Sequence, residues 1–458
     1  MKKNELIGEI VDFDYKGMGI TKIDSMPVFL NGGLIGDKIL FKITEKKKSF
    51  YKGEILKILS PSADRKKSPC KYSKVCGGCD FLTYKYEKSL EWKKSSVENK
   101  LRRISNINTN VSKIHSAEET TRYRNNMQFQ VKDGKIGLYK KNSNEIVKVS
   151  YCLMQSENAN KVLGILGNFK NINKIKTIGI RTNYKDQVML ILSAKEKINK
   201  LHLILPKLLD ANVVSIYENI NMDSKFHYGK EFNLIYGEDH LLEKVNDFYY
   251  KLSPKSFFQV NRLQAEKLYK RAMDFLNVKR DETICDLYCG VGTLSLEIAL
   301  RGARVIGVEI VEDAVNDARE NARENGLEAR FIAGRSEEIL EKLEDGEKII
   351  IDKILVDPPR KGLDKTLVEY LKEKNYSKIV YISCNAATLT RDLEMLKETY
   401  KVEKIEIFDL FPNTVSIETV ALLSKPDVDK HISVEIELDE MDLTSAESKA
   451  TYAQINAT

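Results

Sequence analysis

Short apolar runs broken by glycine turns open the chain. Pro27-Val28-Phe29-Leu30 and the alternating Lys38-Ile39-Leu40-Phe41-Lys42-Ile43 are separated by Gly32-Gly33-Leu34-Ile35-Gly36-Asp37. Four or five strands in fewer than 60 residues predict a small closed barrel of the oligonucleotide-binding kind. Ser60-Pro61-Ser62-Ala63-Asp64 reads as a linker, and a helix-compatible segment runs from about Tyr84 to Ile104. From about Val111 to Tyr250 strands such as Val188-Met189-Leu190-Ile191-Leu192 mix with one or two helices, without a clean period. Beyond about Ser253 the rhythm becomes helix, strand, glycine loop and helix, repeated to about Ser424. That is the βαβ signature of a doubly wound α/β sheet. The expected organisation is a barrel over 1–60, a central α+β region over 61–250, a Rossmann-like domain over 251–426 and a tail over 427–458. In the tail Thr444-Ser445-Ala446-Glu447 reads as a capping box opening a helix.

Chemistry gathers at the ends of the late strands. Ile379-Val380-Tyr381-Ile382 runs into Ser383-Cys384-Asn385, and Ile354-Leu355-Val356 runs into Asp357-Pro358-Pro359-Arg360. Open α/β sheets place ligands and reacting groups at such carboxyl ends. Thr283-Ile284-Cys285-Asp286-Leu287-Tyr288 leads into Cys289-Gly290-Val291-Gly292, where Gly290 and Gly292 are expected to let backbone approach a ligand. Glu309 ends the next strand 17 residues past Gly292, on schedule to accept hydrogen bonds from ribose hydroxyls. Gly-x-Gly without a third glycine suits a ribose ligand lacking pyrophosphate, and S-adenosylmethionine fits. A cysteine at a strand end is more often structural, but Cys384 precedes a helix whose N-terminus is expected to lower its thiol pKa. Beside a methyl donor, thiolate addition to C6 of uracil would activate C5 for methylation. Glu418, in Ser416-Ile417-Glu418-Thr419-Val420, is the best-placed base to remove the C5 proton.

Charge and cysteines narrow the partners. Net charge is +7; from Asp427 onward eight acidic and two basic residues give −6, leaving +13 on the body. Lys46-Lys47-Lys48, Arg65-Lys66-Lys67, Lys93-Lys94, Arg102-Arg103, Arg122 and Arg124, interleaved with Phe50, Tyr51, Tyr72, Phe81, Tyr84 and Tyr86, predict a nucleic-acid surface. The start of the chain shows no signal peptide, no run is long enough to span a bilayer, and a cytoplasmic address is expected. Seven cysteines in 458 residues are no disulfide framework. Cys70, Cys76 and Cys79 cluster on one glycine-containing loop, and Cys152 can supply a fourth thiolate. Either zinc or an iron–sulfur centre is compatible with the set. The Cys-x3-Cys-x2-Cys triplet of radical enzymes is absent.

The segment from Ser253 to Asn261 (Ser-Pro-Lys-Ser-Phe-Phe-Gln-Val-Asn), Asp286 to Thr293, Asp357 to Gly362, Ser383 to Leu393 and Glu418-Thr419-Val420 resemble the bacterial 23S ribosomal RNA (uracil-5-)-methyltransferases, within the RNA m5U methyltransferase family. The resemblance runs from about Gly8 to Ser424. It implies that Gln259, Tyr288, Glu309 and Asp357 hold S-adenosylmethionine, that Cys384 is nucleophile and Glu418 base, and that Cys70, Cys76, Cys79 and Cys152 hold a [4Fe-4S] cluster. The N-terminal barrel resembles a TRAM domain. Two departures stand out: Ala386 where the family often has proline, and Asn413 and Ser416 where it often has histidines. A monomer acting on 23S ribosomal RNA is expected. A tRNA uridine methyltransferase and a non-catalytic RNA-binding protein are the alternatives.

Overall fold

In the computed structural model, which describes residues 5–223, 227–374 and 376–426, alternation in the first sixty residues becomes one curled sheet. Its strands are β1 (Glu5–Glu9), β2 (Asp12–Phe13), β3 (Gly19–Ile23), β4 (Met26–Leu30), β5 (Lys38–Lys46) and β6 (Tyr51–Ser60), in the order β1-β5-β6-β4-β3-β2. Ile10, Val28, Leu30, Ile39 and Phe41 are fully buried inside it. The sheet folds back on itself: Val11 N donates to Ile20 O at 2.8 Å, and a Cβ on Gly8 would lie 2.7 Å from Thr21 Oγ1. The two-residue β2 is too short to leave a period in the sequence.

The middle of the chain begins with α1 (Tyr86–Lys100) and β7 (Lys113–His115), followed by β8 (Asn126–Lys132), β9 (Lys135–Tyr139), β10 (Ile146–Lys148), α2 (Glu157–Gly167), β11 (Ile175–Thr182), β12 (Val188–Ala194), α3 (Leu205–Asp210), β13 (Val213–Ile220) and β14 (Glu231–Gly237). Strands β8 to β14 form a seven-stranded sheet in the order β10-β9-β8-β11-β12-β13-β14. All of β12 is buried, which explains why its apolar run is continuous rather than alternating. A hairpin of β15 (Leu241–Val245) and β16 (Phe248–Leu252) then leads to α4 (Arg262–Leu276).

The third sheet carries the strand-end motifs. After α4 come β17 (Thr283–Leu287), α5 (Thr293–Leu300), β18 (Arg304–Glu309), α6 (Glu312–Glu324), β19 (Arg330–Ala333), α7 (Ser336–Glu341), β20 (Lys353–Val356), α8 (Lys365–Lys374), β21 (Lys378–Ser383), α9 (Ala386–Leu396), β22 (Lys401–Phe408) and β23 (Glu418–Ser424). The order is β19-β18-β17-β20-β21-β23-β22-β7. Strands β17 to β21 are mutually parallel, whereas β23 is antiparallel to both its neighbours. Reversal brings the first residue of β23 to the edge where the parallel strands finish.

Packing does not respect the boundary expected at residue 250. Strand β7 pairs in parallel with β22 and completes this sheet. Trp92, Val97 and Leu101 share one core with Leu389, Leu393 and Leu396 of α9. A three-residue strand whose burial is only partial carries no legible pattern. The helix expected at Thr444–Glu447 lies outside the described residues.

Candidate active site

Cys384 follows β21 directly, one residue beyond the strand's last pair, Ser383 with Thr419. Continuing that antiparallel register sets Cys384 opposite Glu418, and Thr419 Oγ1 donates to Ser383 O at 3.0 Å to hold it. Asn385 caps α9 by accepting from Ala387 N at 3.1 Å. Its Nδ2 also donates to Arg360 O at 2.9 Å, so the Asp357–Gly362 turn is fastened to the cysteine's own helix. A second clamp is Asp392, whose Oδ2 accepts from Leu363 N at 2.9 Å and Tyr381 Oη at 2.6 Å. Gly362 has φ +77°, and a Cβ there would lie 2.5 Å from Asp392 Oδ2, so only glycine allows this approach. Both motifs thus converge on one strand edge.

Electrostatics at this edge reverse one expectation. Burial, reinforced by Glu418 and Asp357 and opposed by Arg360, pushes the Cys384 thiol up to about 11. The lowering expected from the helix N-terminus is overturned, because Cys384 precedes the capping Asn385 and faces two carboxylates. Burial and Asp357 hold the Glu418 carboxyl well above its ordinary range, with Arg360 pulling the other way. Asp357 rises to about 7 through burial and Asp286, and Asp286 to about 7 through burial, with Glu309 adding. Acidic groups therefore crowd one water-poor site.

The glycine loop sits beside them. Tyr288 takes φ +66°, and its N donates to Val308 O at 2.8 Å. Glu309 Oε2 accepts from Gly290 N at 3.3 Å, and its Oε1 from Val311 N at 2.9 Å, so this carboxylate also shapes the loop. A Cβ on Gly290 would meet no protein atom within 4 Å, whereas one on Gly292 would sit 3.1 Å from the Phe331 ring. At Gly292, whose φ is +84°, a side chain would press on Phe331, so the turn itself requires glycine. Gln259 is buried, and its carbonyl accepts from Asn125 Nδ2 at 3.0 Å. Asp286 was not singled out by sequence, yet it is fully buried and its Oδ1 has no hydrogen-bond partner among the described residues. A bound cation or donor at this edge would satisfy that oxygen and relieve the repulsion among the carboxylates.

Cys384 opens into a cavity of about 740 Å³ with walls from three parts of the chain. Arg360, Cys384 and Val415–Ile417 form one side, the Asp14–Met18 region with Phe29 and Phe50 another, and Trp92 and Lys100 a third. Sequence reasoning missed Trp92 here, because nothing local marks a helix residue that meets a distant loop.

The basic surface needs correction too. Lys93 is fully buried and its Nζ donates to Asp409 Oδ1 at 2.6 Å. Arg65 pairs with the buried Asp37, while Phe81 and Tyr84 are core residues and Tyr86 donates to Asp409 Oδ2 at 2.7 Å. These side chains stabilise the fold instead of contacting phosphates.

Cys70, Cys76, Cys79 and Cys152 line one cavity, so the structure brings the four thiols together. Burial and the neighbouring thiols raise Cys79 strongly. Even so, among the described residues no three His, Cys, Asp or Glu side chains are grouped to hold a single metal ion.

Comparison with known proteins agrees with this architecture. A family profile described as tRNA (Uracil-5-)-methyltransferase matches residues 85–426. A Clostridium tetani protein named "Uncharacterized RNA methyltransferase" is 35% identical, covering 93% of this chain and 97% of its own. A Staphylococcus aureus protein of like name is 34% identical over 92% of this chain and 98% of its own. The crystal structure of Pyrococcus abyssi tRNA (uracil-54, C5)-methyltransferase with S-adenosyl-L-homocysteine superposes with a TM-score of 0.74 at 26% identity, over 91% of this chain and 99% of that one. The matched span takes in the strand-end cysteine, the Asp-Pro-Pro turn and the reversed strand alike, and the chain accordingly belongs to the tRNA (uracil-5-)-methyltransferase family of enzymes.

Proposed function

We propose that this enzyme methylates C5 of a uridine in 23S ribosomal RNA, with Cys384 as nucleophile and Glu418 as base. The observation that carries the reading is the Ser383–Thr419 pair that ends β21 against β23, bringing the next residues, Cys384 and Glu418, to one strand edge where Glu418 adds to the burial that raises the Cys384 thiol, on the cavity that also holds Arg360. S-adenosylmethionine would supply an electrophilic methyl group on a sulfonium sulfur. Gln259, Tyr288, Gly290, Gly292, Glu309 and Asp357 are the residues assigned to it, and Asp286 Oδ1, without a hydrogen-bond partner among the described residues, fits a ligand that brings positive charge.

Cys384 Sγ, as the thiolate once its proton has passed to solvent, would add to uracil C6 and leave carbanion character at C5. That carbon would take the methyl group, Glu418 as the carboxylate would accept the C5 proton, and the C6–sulfur bond would break to restore the ring and the thiolate. Both groups act in their deprotonated forms, Cys384 at addition and Glu418 at proton removal, and Glu418 adds to the burial that raises the Cys384 thiol. Arg360, the cation that counters the rise of the Cys384 thiol, would stabilise the enolate oxygen or the thiolate. The uridine must leave its stack to reach the cavity, and the curled N-terminal sheet, read as a TRAM-like barrel, would grip the flanking RNA.

The archaeal structure favours a second substrate, since the protein it shows is a tRNA uracil-54 enzyme. Nucleoside mass spectrometry of ribosomal RNA and tRNA from cells lacking this protein decides between them. Loss of 5-methyluridine from 23S RNA supports the first reading, loss from tRNA the second, and no loss from either rejects both. Cys384→Ala should abolish transfer.

Cys70, Cys76, Cys79 and Cys152 are assigned to a [4Fe-4S] cluster on their soft donor chemistry and shared cavity. Anaerobic purification should give a brown protein whose visible absorption is lost in Cys79→Ser. A colourless protein containing one zinc per chain would reject the cluster.

A further inference from the structure

The loop between β22 and β23 forms a wall of the Cys384 cavity and leads straight to Glu418, yet no catalytic group holds it in place. Lys93, Tyr123 and Asn413 tether its first half through Phe411 O, Pro412 O and Thr120 O, and Asp80 holds the part nearest the cavity. Asp80 N and Phe81 N both donate to Asn413 O at 2.9 Å, and Asp80 Oδ2 accepts from Val415 N at 3.1 Å. Asp80 Oδ1 pairs with Lys141 Nζ at 3.0 Å, and the same Nζ donates to Gly17 O at 3.0 Å. Gly17 lies in the turn that forms the facing wall of the cavity. Its φ is +70°, and a Cβ there would come within 2.6 Å of Asp80 Oδ1, so the turn is seated against the carboxylate as closely as backbone permits. Side-chain exposures are 22% for Lys141 and 14% for Asp80, too low for a solvated surface pair of little consequence.

We infer that the Asp80–Lys141 pair is a positioning element for the reaction: it fixes the Val415–Ile417 wall at a set distance from the Asp14–Met18 turn and so defines the mouth through which a uridine reaches Cys384. One ammonium and one carboxylate tie together three segments that share no secondary structure: the N-terminal sheet, the loop directly after Cys79, and the loop that precedes the base. Backbone bonds from Asp80 and Phe81 to Asn413 persist without the side chain, so removing it should loosen the wall without unfolding it. This inference rests on the proposed uridine chemistry for its kinetic readout alone.

The test compares Asp80→Ala, Asp80→Asn, Lys141→Met and the double variant Asp80→Ala/Lys141→Met, in the full-length protein. Asp80→Ala and Lys141→Met should each lower kcat/KM for RNA about tenfold, mostly through KM. S-adenosylhomocysteine affinity by calorimetry should stay unchanged. Iodoacetamide should alkylate Cys384 faster in both, as mapped by peptide mass spectrometry, because the mouth is wider. Asp80→Asn keeps an acceptor for Val415 N and should recover part of the loss. The double variant should be no worse than either single one. Additive losses in the double variant, or unchanged alkylation and KM in the singles, would overturn the inference. Absence of methyl transfer by the unmodified protein on any RNA would reject the uridine chemistry instead, while the alkylation rates and their non-additivity would still judge the pair.

Discussion

Burial makes Cys384 hard to ionise, and the carboxylates Glu418 and Asp357 add to it. Their effect on the thiol is therefore measurable before any substrate binds. Because Glu418 raises Cys384, Glu418→Gln removes a negative neighbour, and the curve of Cys384 alkylation against pH should move to lower pH. Arg360→Met removes a lowering influence and should move it upward. Peptide-resolved mass spectrometry separates Cys384 from the other six cysteines, and no shift in either variant would mean the groups do not share a site. Lys93 makes a second residue-scale case. Sequence placed it in a phosphate-binding run, but its Nζ binds Asp409 Oδ1 at 2.6 Å and Phe411 O at 3.2 Å inside the protein. Burial lowers its pKa while Asp409 raises it. Lys93→Met leaves Asp409 buried without its cation and should cost about 3–5 kcal/mol, read as a lower urea midpoint at unchanged slope. A run of charges in a sequence says nothing about which member turns inward; that is decided by a carboxylate more than three hundred residues away.

Helix α9 does two jobs through its first residues, and they can be separated. Asn385 caps the helix and ties it to Arg360 O, whereas Ala386 is simply the first helical residue. Asn385→Ala should lose about 1–2 kcal/mol of stability and, because Arg360 loosens, lower kcat as well. Ala386→Pro should leave activity intact and change stability by no more than about 1 kcal/mol, since proline suits that position and its missing N–H is unpaired within the helix anyway. Differential scanning calorimetry with methyl-transfer assays checks both; equal damage from the two would mean the cap has no special link to the turn. At this scale the legible elements were those with a strong local signal: fully buried parallel strands, the glycine loop and the Cys384 helix. Strand β7 and the reversal of β23 were illegible for different reasons. The first is three residues long, and the second depends on which neighbour the strand pairs with, a choice its own residues do not encode.

Asp80, next to Cys79 of one cavity and bonded to Val415 of the other, ties both to the N-terminal sheet through Lys141, within one compact unit that ends at Lys425. Sequence suggested three separable pieces because composition and rhythm change near residues 60 and 250, but side chains such as Trp92 pack across those changes. Charge remains a property that composition states correctly for the molecule as a whole, even where individual lysines prove structural. The +13 body and the −6 tail then carry a prediction of their own. RNA affinity arises largely from phosphate contacts, so negative charge tethered to the same chain opposes it at low ionic strength. A chain ending at Pro426 keeps the compact unit intact and should bind a uridine-containing RNA more tightly than the full chain at about 50 mM salt. The advantage should shrink as the Debye length falls towards about 8 Å near physiological ionic strength. Fluorescence anisotropy across a salt series measures both. A truncated chain that binds no better at any salt would show that the tail's charge stays out of reach of the RNA, and one that binds more weakly would make the tail part of the binding surface.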